Sequence, residues 1–293
     1  MISVVIPVYK KTDQFLKSLS NNFVFFKDCQ VIVVNDDPTA SLVSTLASFR
    51  PLTLLENRTN LGFAGAANAG VAKATNPYVV LLNSDVFLTD GSFQKALRLF
   101  KKKATLFAVA FAQKEKDGRL VGKNRVFWAR GLMHHEQAPN ILPGPTAWAE
   151  GGAMMFDRIK FQKLGGFDSL FSPFYWEDID LSYRAWKAKY EVLFEPAITV
   201  GHHHETTIGS LFSREEIKTI SFRNGFLFIR KNITSPRLLT AYYFYLLPNL
   251  LYYGLLKRET AFIRGFFAAI KKNNFIRRAA HTGKADEEIL RMF

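Results

Sequence analysis

The stretch Tyr78-Val79-Val80-Leu81-Leu82-Asn83-Ser84-Asp85-Val86 decides the fold, because an apolar run stops here abruptly at an amide and a carboxylate. Five consecutive apolar residues are typical of a strand that is buried on both faces, as in a parallel sheet covered by helices. Ligands of open α/β sheets bind outside the carboxyl ends of the strands, so Asn83 and Asp85 are expected on one side, facing that crevice. Such oxygen ligands could hold a hard cation. A plain turn explains the same residues, since Asn, Ser and Asp are common turn formers.

Other segments repeat the pattern of an apolar strand followed by polar residues. They are Ile2–Tyr9, Gln30–Val34 before Asn35-Asp36-Asp37, and Leu52–Glu56 before Asn57-Arg58. Polar-apolar helices are predicted between the strands, over Asp13–Asn22 and Ser92–Lys103. This alternation of strand and helix predicts βαβ units and a parallel sheet.

The segment Asn60–Gly70 is rich in small residues and precedes the central strand. Gly62 and Gly65 permit close backbone approach, so the amides at the start of a following helix could meet a phosphate or ribose. The segment matches neither the GxGxxG nor the GxxxxGK[ST] pattern. A helix packed tightly on a sheet explains it equally well.

The second half continues with further strands. We expect strands over Leu106–Ala112, Glu150–Phe156 and Val192–Phe194, the last ended by Pro196, and an irregular excursion over Gln113–Pro145. A helix is expected from Asp178 to Lys189.

Two polar clusters in this half allow two interpretations each. Glu177 and Asp178 suit the dipole of a helix N-terminus, but a carboxylate beside Tyr175 and Trp176 is also well placed as a general base tuned by burial. The run His202-His203-His204 can be plain surface or can add an imidazole ligand to a cation near Asp85.

Composition limits the class of protein. The single cysteine, Cys29, cannot form an internal disulfide, and Met1–Lys11 has no signal-peptide pattern, so a reducing cytoplasm is expected. The net charge is +14, of which residues 211–293 contribute +9 with 15 Lys/Arg against 6 Asp/Glu. Basic surface attracts nucleic acid, anionic lipid or phosphorylated substrates, and charge alone does not choose among them.

Several motifs follow one another along the chain: Val4-Val5-Ile6-Pro7-Val8-Tyr9, Val33-Val34-Asn35-Asp36, Asn60-Leu61-Gly62-Phe63-Ala64, Leu82-Asn83-Ser84-Asp85, Gly152-Ala153-Met154, Gly166-Phe167-Asp168 and Glu177-Asp178-Ile179-Asp180-Leu181. In this order they resemble a family-2 glycosyltransferase of the type that adds single sugars, such as rhamnosyltransferases. The resemblance covers roughly residues 1–230. It implies the GT-A fold, an open, mostly parallel α/β sheet with the nucleotide along the strand ends.

The resemblance also implies roles for individual residues. Asp178 of the Glu177-Asp178 pair would deprotonate the acceptor hydroxyl, and Asp85, the last member of a DxD-type motif, would hold Mg²⁺ or Mn²⁺ on the diphosphate. His202 would be a late metal ligand, with His203 and His204 as alternatives. Residues on the donor side would be Pro7, Tyr9, Asp36, Asn60, Gly62, Asn83 and Arg184. Trp176 and Tyr175 are candidates for the acceptor side.

Two positions depart from the family pattern. Asn83 replaces the first acid of a full DxD motif, which leaves Asp85 as the certain carboxylate there. Asp37-Pro38 stands where relatives commonly have Gly-Ser, so the contact of Asp36 with the base is less firmly implied. The implied reaction needs neither of the replaced residues.

The chain is expected to divide into a catalytic domain, residues 1–210, and a basic, aromatic helical region, residues 211–293. The 19 uncharged residues 238–256 barely reach the roughly 20 that a spanning helix needs. Pro248 and Gly254 favour two short helices instead. With the following cations, residues 238–278 are predicted to lie on an anionic membrane surface, at the inner face of the cell membrane. The alternative is a helical subdomain packed on the catalytic domain or on a second protomer.

Three other functions fit less well. A basic nucleic-acid-binding module leaves the polar strand ends unexplained. A nucleotidyltransferase would need a basic phosphate-gripping loop near the first strand, and Pro7-Val8-Tyr9 offers none. Processive polysaccharide synthases carry a QxxRW motif and several spanning helices, and neither feature is found in this sequence. We therefore expect a nucleoside-diphosphate sugar donor, a saccharide or lipid-linked acceptor, and no nucleic-acid partner.

Overall fold

The computed structural model describes residues 2–202, 207–277 and 283–293. Its strands are β1 (Ile2–Val8), β2 (Cys29–Asn35), β3 (Thr53–Glu56), β4 (Tyr78–Leu82), β5 (Val86–Leu88), β6 (Leu106–Lys114), β7 (Leu120–Val121), β8 (Asn124–Ala129), β9 (Leu132–Gln137), β10 (Gly144–Pro145), β11 (Ala153–Asp157) and β12 (Glu191–His202). All but β8 and β9 belong to one sheet, which confirms the predicted open α/β sheet.

The main path of the sheet runs β10-β12-β6-β11-β4-β1-β2-β3. The pairs β1–β2, β1–β4, β2–β3 and β6–β12 are parallel, and β11 is inserted antiparallel between β4 and β6. The carboxyl ends of the parallel strands therefore lie along one edge of the sheet. This edge carries the residues that follow β1, β2 and β4.

The helices cover both faces of the sheet. They are α1 (Thr12–Asn22), α2 (Gly62–Lys73), α3 (Ala96–Lys102), α4 (Arg158–Lys163), α5 (Glu177–Lys187), α6 (Thr207–Leu211), α7 (Arg214–Asn232), α8 (Pro236–Leu251), α9 (Thr260–Lys271) and α10 (Asp286–Leu290). One apolar core contains side chains of α1 and α3, and the other contains side chains of α2, α5 and α7–α10. The C-terminal helices therefore share a core with the helices that follow the site-bearing strands.

Helix α2 packs closely on the sheet, as one interpretation of its small residues predicts. A Cβ atom on Gly70 would lie 2.4 Å from Val5 Cγ1 and 3.0 Å from Val34 Cγ2, closer than side chains pack. The glycine thus allows the helix to approach β1 and β2. Gly62, at the start of the same helix, has a φ of +70° that favours glycine.

Two expectations about strands and loops are wrong. Residues 113–145 are not an irregular excursion, because β8 and β9 pair there as a hairpin. Pro196 does not end the last strand: β12 runs on to His202, and the pairing with β6 shifts between Glu195 and Thr199. A bulge of this kind takes a proline out of the ladder, where its missing N–H costs nothing.

The central strand covers the five apolar residues expected of it, and a turn follows. Strand β4 stops at Leu82, and residues 83–86 form a turn in which Asn83 O accepts from Val86 N at 3.2 Å. Asn83 and Asp85 therefore do not share one side of a strand. The turn still leaves both residues at the carboxyl edge of the sheet, so the turn interpretation and a site at this edge are compatible.

The C-terminal helices differ from the expected pair of short helices. Helix α8 continues through Pro248 to Leu251 and is followed by a π-helical turn, Tyr252–Leu256, and then by α9. Asn249 fixes the proline-containing part, since its Nδ2 donates to Arg130 O in the β8–β9 hairpin at 2.9 Å. Across the described residues, the helices are too short or too polar to cross a membrane.

Candidate functional site

A cavity of about 790 Å³ opens at the carboxyl edge of the sheet. It is lined by every site residue named from the sequence except Arg184: Pro7, Tyr9, Asp36, Asn60, Gly62, Asn83, Asp85, Tyr175, Trp176, Glu177, Asp178 and His202. The ends of the strands and the loop before α5 both contribute residues to its lining. The fold thus joins motifs that lie more than a hundred residues apart.

Asp36 directly follows β2 and ties together the turn before α2. Its Oδ1 accepts from Asn57 Nδ2 at 2.8 Å and from Leu61 N at 3.0 Å. Burial raises the pKa of Asp36, and these donors act in the opposite direction. Asn60 Oδ1 accepts from Gly62 N at 2.8 Å, which fixes the turn that leads into α2. Both residues line the cavity.

Asp85 and His202 meet where β5 pairs with β12. His202 lies directly across from Val86, and its Nε2 is 3.3 Å from Asp85 Oδ1. His203 and His204 lie outside the described residues, so His202 is the member of the histidine run that the structure places at Asp85. In the described part of the chain, no group of three or more His, Cys, Asp or Glu side chains has the arrangement of a metal site.

Gln113, at the end of β6, sets the orientation of the His202 ring. Its Nε2 donates to Glu150 Oε2, and its Oε1 is in short contact with His202 Nδ1. Because this network points the amide oxygen at the ring, Nδ1 must carry the proton. The lone pair of a neutral His202 then lies on Nε2, facing Asp85.

Glu150 connects this network to the catalytic candidate Asp178. Its Oε1 also accepts from Asn124 Nδ2 at 3.1 Å, so both carboxylate oxygens are fixed. The Glu150 carboxylate lies close enough to Asp178 to raise the pKa of Asp178. Sequence reasoning missed Gln113 in β6, Asn124 in β8 and Glu150, which lies just before β11, because only tertiary packing brings them together.

The loop before α5 is held in an unusual backbone conformation. Tyr175 and Trp176 have φ values of +69° and +76°, in the left-handed region that non-glycine residues avoid. The buried Asn224 of α7 holds this loop, with its Nδ2 donating to Phe171 O, Phe174 O and Tyr175 O at 2.7, 3.0 and 2.8 Å. The C-terminal region therefore sets the conformation that presents Glu177 and Asp178.

Glu177 and Asp178 begin α5 on the floor of the cavity. Burial raises the pKa of Asp178, with a further contribution from the Glu150 charge, although Asp178 Oδ1 accepts from Ile179 N at 2.8 Å. Burial and the neighbouring Asp178 raise the pKa of Glu177, whose Oε2 has no hydrogen-bond partner among the described residues. A helix dipole alone would lower both pKa values, so burial dominates here.

Aromatic side chains line the cavity beside these acids. His135 of β9 lies edge-on to Trp148 and Trp176, with ring centroids 5.6 and 4.9 Å away. Burial lowers the pKa of His135, which favours the neutral ring. Trp176 is buried, whereas Tyr175 is 39% exposed and available to a ligand. Sequence reasoning named Tyr175 and Trp176 but missed His135 and Trp148.

Arg184, which was expected on the donor side, does not line this cavity. It points to the other side of α5, where it pairs with the fully buried Asp180 at 2.7 Å and donates to Gly166 O. Burial acts to raise the pKa of Asp180, but the charges of Arg184 and Lys231 overcome it and lower that pKa. The spacing of four residues on α5 dictates this pairing, so Arg184 stabilises the helix.

Proteins similar to this chain include enzymes of sugar transfer. A poly-beta-1,6-N-acetyl-D-glucosamine synthase of Staphylococcus epidermidis is 22% identical over 218 residues, 73% of this chain and 52% of the synthase. A pre-mycofactocin glycosyltransferase of Mycobacterium tuberculosis is 23% identical over 217 residues, 73% of this chain and 45% of the relative. The chain spans about half the length of these relatives.

A solved structure and a family profile agree with these relatives. The crystal structure of GalNAc-T7 with UDP, GalNAc and Mn²⁺ superposes with a TM-score of 0.67 at 14% identity, covering 99% of this chain and 56% of that one. This likeness shows the GT-A fold. Residues 3–165, more than half of the chain, match the family described as Glycosyl transferase family 2. The chain therefore belongs to glycosyl transferase family 2.

Proposed function

We propose that this chain transfers a sugar, with inversion, from a nucleoside-diphosphate sugar to a hydroxyl of a saccharide or lipid-linked acceptor in surface-polysaccharide or glycan synthesis. The observation that carries this proposal is that Asp85, His202 and Asp178 line one cavity, with His202 Nε2 3.3 Å from Asp85 Oδ1. Such an arrangement lets a leaving group and an acceptor lie on opposite faces of one sugar carbon.

The donor lies along the strand ends in this proposal. Pro7 and Tyr9 border the nucleotide, Asp36 receives a polar group of the base or ribose, and Asn60 with Gly62 approaches the nucleotide from the start of α2. Asn83 contributes an amide beside the diphosphate. All of these residues line the cavity.

The charge of the cavity supports a divalent cation, Mg²⁺ or Mn²⁺. Among the described lining residues, five carboxyl groups face one ammonium group: Asp36, Asp85, Glu150, Glu177, Asp178 and Lys10. Even with Glu177 protonated, the cavity is net negative and would repel a diphosphate that enters without a cation. Asp85 and His202 would hold the ion together with the diphosphate, and the ion would offset the charge of the leaving group.

The donor set fits such an ion. With Nδ1 of His202 committed to Gln113, a neutral ring turns a lone pair toward Asp85, so two acceptors lie 3.3 Å apart. A cation that both groups ligate satisfies both acceptors. Mn²⁺ in the similar GalNAc-T7 structure is consistent with this assignment.

Asp178 acts as the general base. It takes the proton from the acceptor hydroxyl as the hydroxyl oxygen attacks the anomeric carbon, and the bond to the diphosphate breaks on the opposite face. A base with a raised pKa accepts this proton more readily. General-base catalysis of this kind typically increases the rate by about 10²–10⁴-fold. Glu177, with a higher pKa still, stays protonated beside it, and the aromatic side chains of Tyr175 and Trp176 border the acceptor.

We further propose that α8, the π-helical turn and α9 lie on an anionic membrane surface, at the inner face of the cell membrane. Phe244, Leu247, Leu251 and Leu255 form one outward face and are 71, 62, 49 and 70% exposed. Between residues 236 and 277 the sequence has seven Lys or Arg and one acid, Glu259. Exposed apolar groups flanked by cations match an anionic bilayer better than another copy of this basic chain.

A screen of donor hydrolysis tests the proposed activity. The purified chain is incubated with UDP-, dTDP- and GDP-sugars, with Mn²⁺ or Mg²⁺, and the release of nucleoside diphosphate is measured. We expect one nucleotide class to be hydrolysed, with loss of the reaction in excess EDTA and in Asp85→Asn. Full activity in EDTA would contradict the metal assignment, and inertness toward all donors would contradict the activity.

A further inference from the structure

A second cavity, of about 950 Å³, lies on the other side of α5 and shares no lining residue with the first. Its walls come from the turn after α4, the last residues of α5, the end of α7 and the segment after α9. The charged residues in its lining are Lys163, Asp168, Arg184, Lys187, Lys231, Lys272 and Arg277. The proposed sugar transfer uses none of them.

Three of the six cations in this lining are neutralised by buried ion pairs. Arg184 pairs with Asp180 at 2.7 Å, and Lys187 pairs with Asp286 at 2.7 Å. Lys231 pairs with Asp168 at 2.6 Å and with Asp180 at 2.8 Å. These pairs form a rigid floor in which three carboxylates balance three cations.

The other three cations have no carboxylate partner. Within the described residues, Lys163, Lys272 and Arg277 form no ion pair, although Lys272 Nζ donates to Leu170 O at 3.2 Å. Burial and the nearby Arg223 lower the pKa of Lys272, although the charge of Asp168 acts in the opposite direction. The cavity therefore has an excess of about three positive charges, which a bound anion would neutralise.

The rim of the cavity is apolar where it reaches the C-terminal helices. Phe275 lies in the lining and is 73% exposed, and Phe267 and Ile270 are exposed on the preceding α9. The same rim belongs to the surface proposed to face the membrane. A phosphate group that enters here can belong to a soluble molecule or to a lipid headgroup.

We propose that this second cavity is a binding site for a phosphate-bearing polyanion, held by Lys163 on one wall and by Lys272 and Arg277 on the other. The site is separate from the donor cavity and does not depend on the proposed sugar transfer. Its recognition is electrostatic, by two or more ionised phosphate oxygens.

Pyrophosphate is the probe for this site. Isothermal titration with the full chain is done in EDTA, so that no cation brings the probe into the acidic donor cavity. We expect the wild type to bind, and the Lys272→Ala/Arg277→Ala double variant and the single variant Lys163→Ala each to bind at least about tenfold more weakly. The control Lys101→Ala/Lys102→Ala removes two exposed cations from α3, on the opposite face of the sheet, and should match the wild type.

Absence of pyrophosphate binding, or an equal loss in the α3 control, would overturn the proposal. Thermal melting checks that each variant is folded, and Lys163 and Arg277 are exposed, so their replacement should leave the core intact. Vesicles that contain phosphatidic acid identify the source. If pyrophosphate competes with vesicle binding, the cavity takes a lipid headgroup, and if it binds without competing, the cavity takes a soluble phosphate.

Discussion

At the scale of the residue, the surroundings that would make Asp178 a good base also destabilise the folded chain when Asp178 is ionised. Asp178 must be ionised to accept a proton, yet it lies in a place where burial and the charge of Glu150 oppose ionisation. The same surroundings that make it a stronger base therefore destabilise the folded chain at neutral pH. The raised pKa of Asp178 can therefore be tested without a substrate, from the pH dependence of the free energy of unfolding.

The first prediction is that Asp178→Asn stabilises the chain, and more so at higher pH. The surroundings raise the pKa of Asp178 from 3.8 to about 7, so the folded state holds a proton that the unfolded state has released. Wild-type stability thus falls as the pH rises from about 4 to about 7, and the asparagine variant escapes this loss. Thermal melting should show an advantage of the variant that is about 2–3 kcal/mol larger at about pH 8 than at about pH 5.

A matched control for this prediction is Asp28→Asn, which changes an exposed carboxylate. Its melting temperature relative to the wild type should stay nearly constant over the same pH range. If Asp178→Asn behaved like this control, the raised pKa would be contradicted.

The second prediction concerns Glu150. Glu150→Gln removes a negative charge near Asp178 but keeps the oxygen that can accept from Gln113 or Asn124. The pKa of Asp178 should fall, and the acidic limb of the rate profile should move about 0.5–1 pH unit lower. The measurement is kcat/KM against pH for donor hydrolysis. An acidic limb that stays in place would contradict an influence of Glu150 on the pKa of the base.

Some residues of the site can be predicted from the sequence, and others can be identified only from the structure. Asp85, His202 and Asp178 carry motifs with a known chemistry and follow apolar strands or begin a helix, so the sequence predicts them. Gln113, Glu150 and His135 reach the cavity only because particular registers place β6, β11 and β9 beside it. Register between distant strands is a property of tertiary packing, and no local pattern encodes it.

At the scale of the element, α7 fixes the conformation of the loop before α5. Its Asn224 donates to three carbonyl groups of residues 171–175, where two consecutive residues have positive φ. Its last residues, Lys231 and Asn232, bind the buried Asp180 at 2.8 Å each. The start of the C-terminal region and α5 thus form one polar network beneath the floor of the cavity.

The third prediction tests this role of α7. Asn224→Ala leaves buried carbonyl groups unpaired, so the free energy of unfolding should fall by about 2 kcal/mol and kcat should fall with it. Asn273→Ala, at an exposed asparagine after α9, is the control and should change neither. A folded Asn224→Ala chain with a normal kcat would show that the loop keeps its conformation without these hydrogen bonds.

The elements themselves follow from the sequence to different degrees. Strand β4 is apolar throughout and β6 is apolar up to Ala112, and the sequence predicts both within a few residues of their ends. Strand β12 is longer than expected because a bulge accommodates Pro196, and α8 is longer because the hairpin holds it at Asn249. In both cases tertiary contacts override a local breaker, which sequence patterns cannot reveal.

At the scale of the whole molecule, charge is segregated. The cavity at the strand ends is acidic, whereas the C-terminal helices and the second cavity are basic. An anionic surface would therefore attract one side of the chain and leave the donor cavity free. If the proposed function is correct, this segregation would explain why a chain of net charge +14 needs a cation to bind an anionic donor.

The fourth prediction is that the exposed face of α8 attaches the chain to anionic vesicles. Leu247→Glu/Leu251→Glu places two charges in that face and should abolish flotation with anionic vesicles. The control Val24→Glu/Val43→Glu adds the same charge at positions that are 56 and 62% exposed, and it should float like the wild type. Equal flotation of both variants, or a dimer that dissociates only in the first variant, would favour the alternative of a protein interface.

The fifth prediction, on transfer by Asp178→Asn, tests the central claim most directly. Donor affinity and turnover are measured side by side for the wild type and for this variant with the donor identified by the hydrolysis screen. We predict that Asp178→Asn binds the donor and Mn²⁺ as the wild type does while its turnover falls by about 10²–10⁴-fold, because the cavity is intact and only the base is lost. Near-normal turnover of Asp178→Asn would contradict the account.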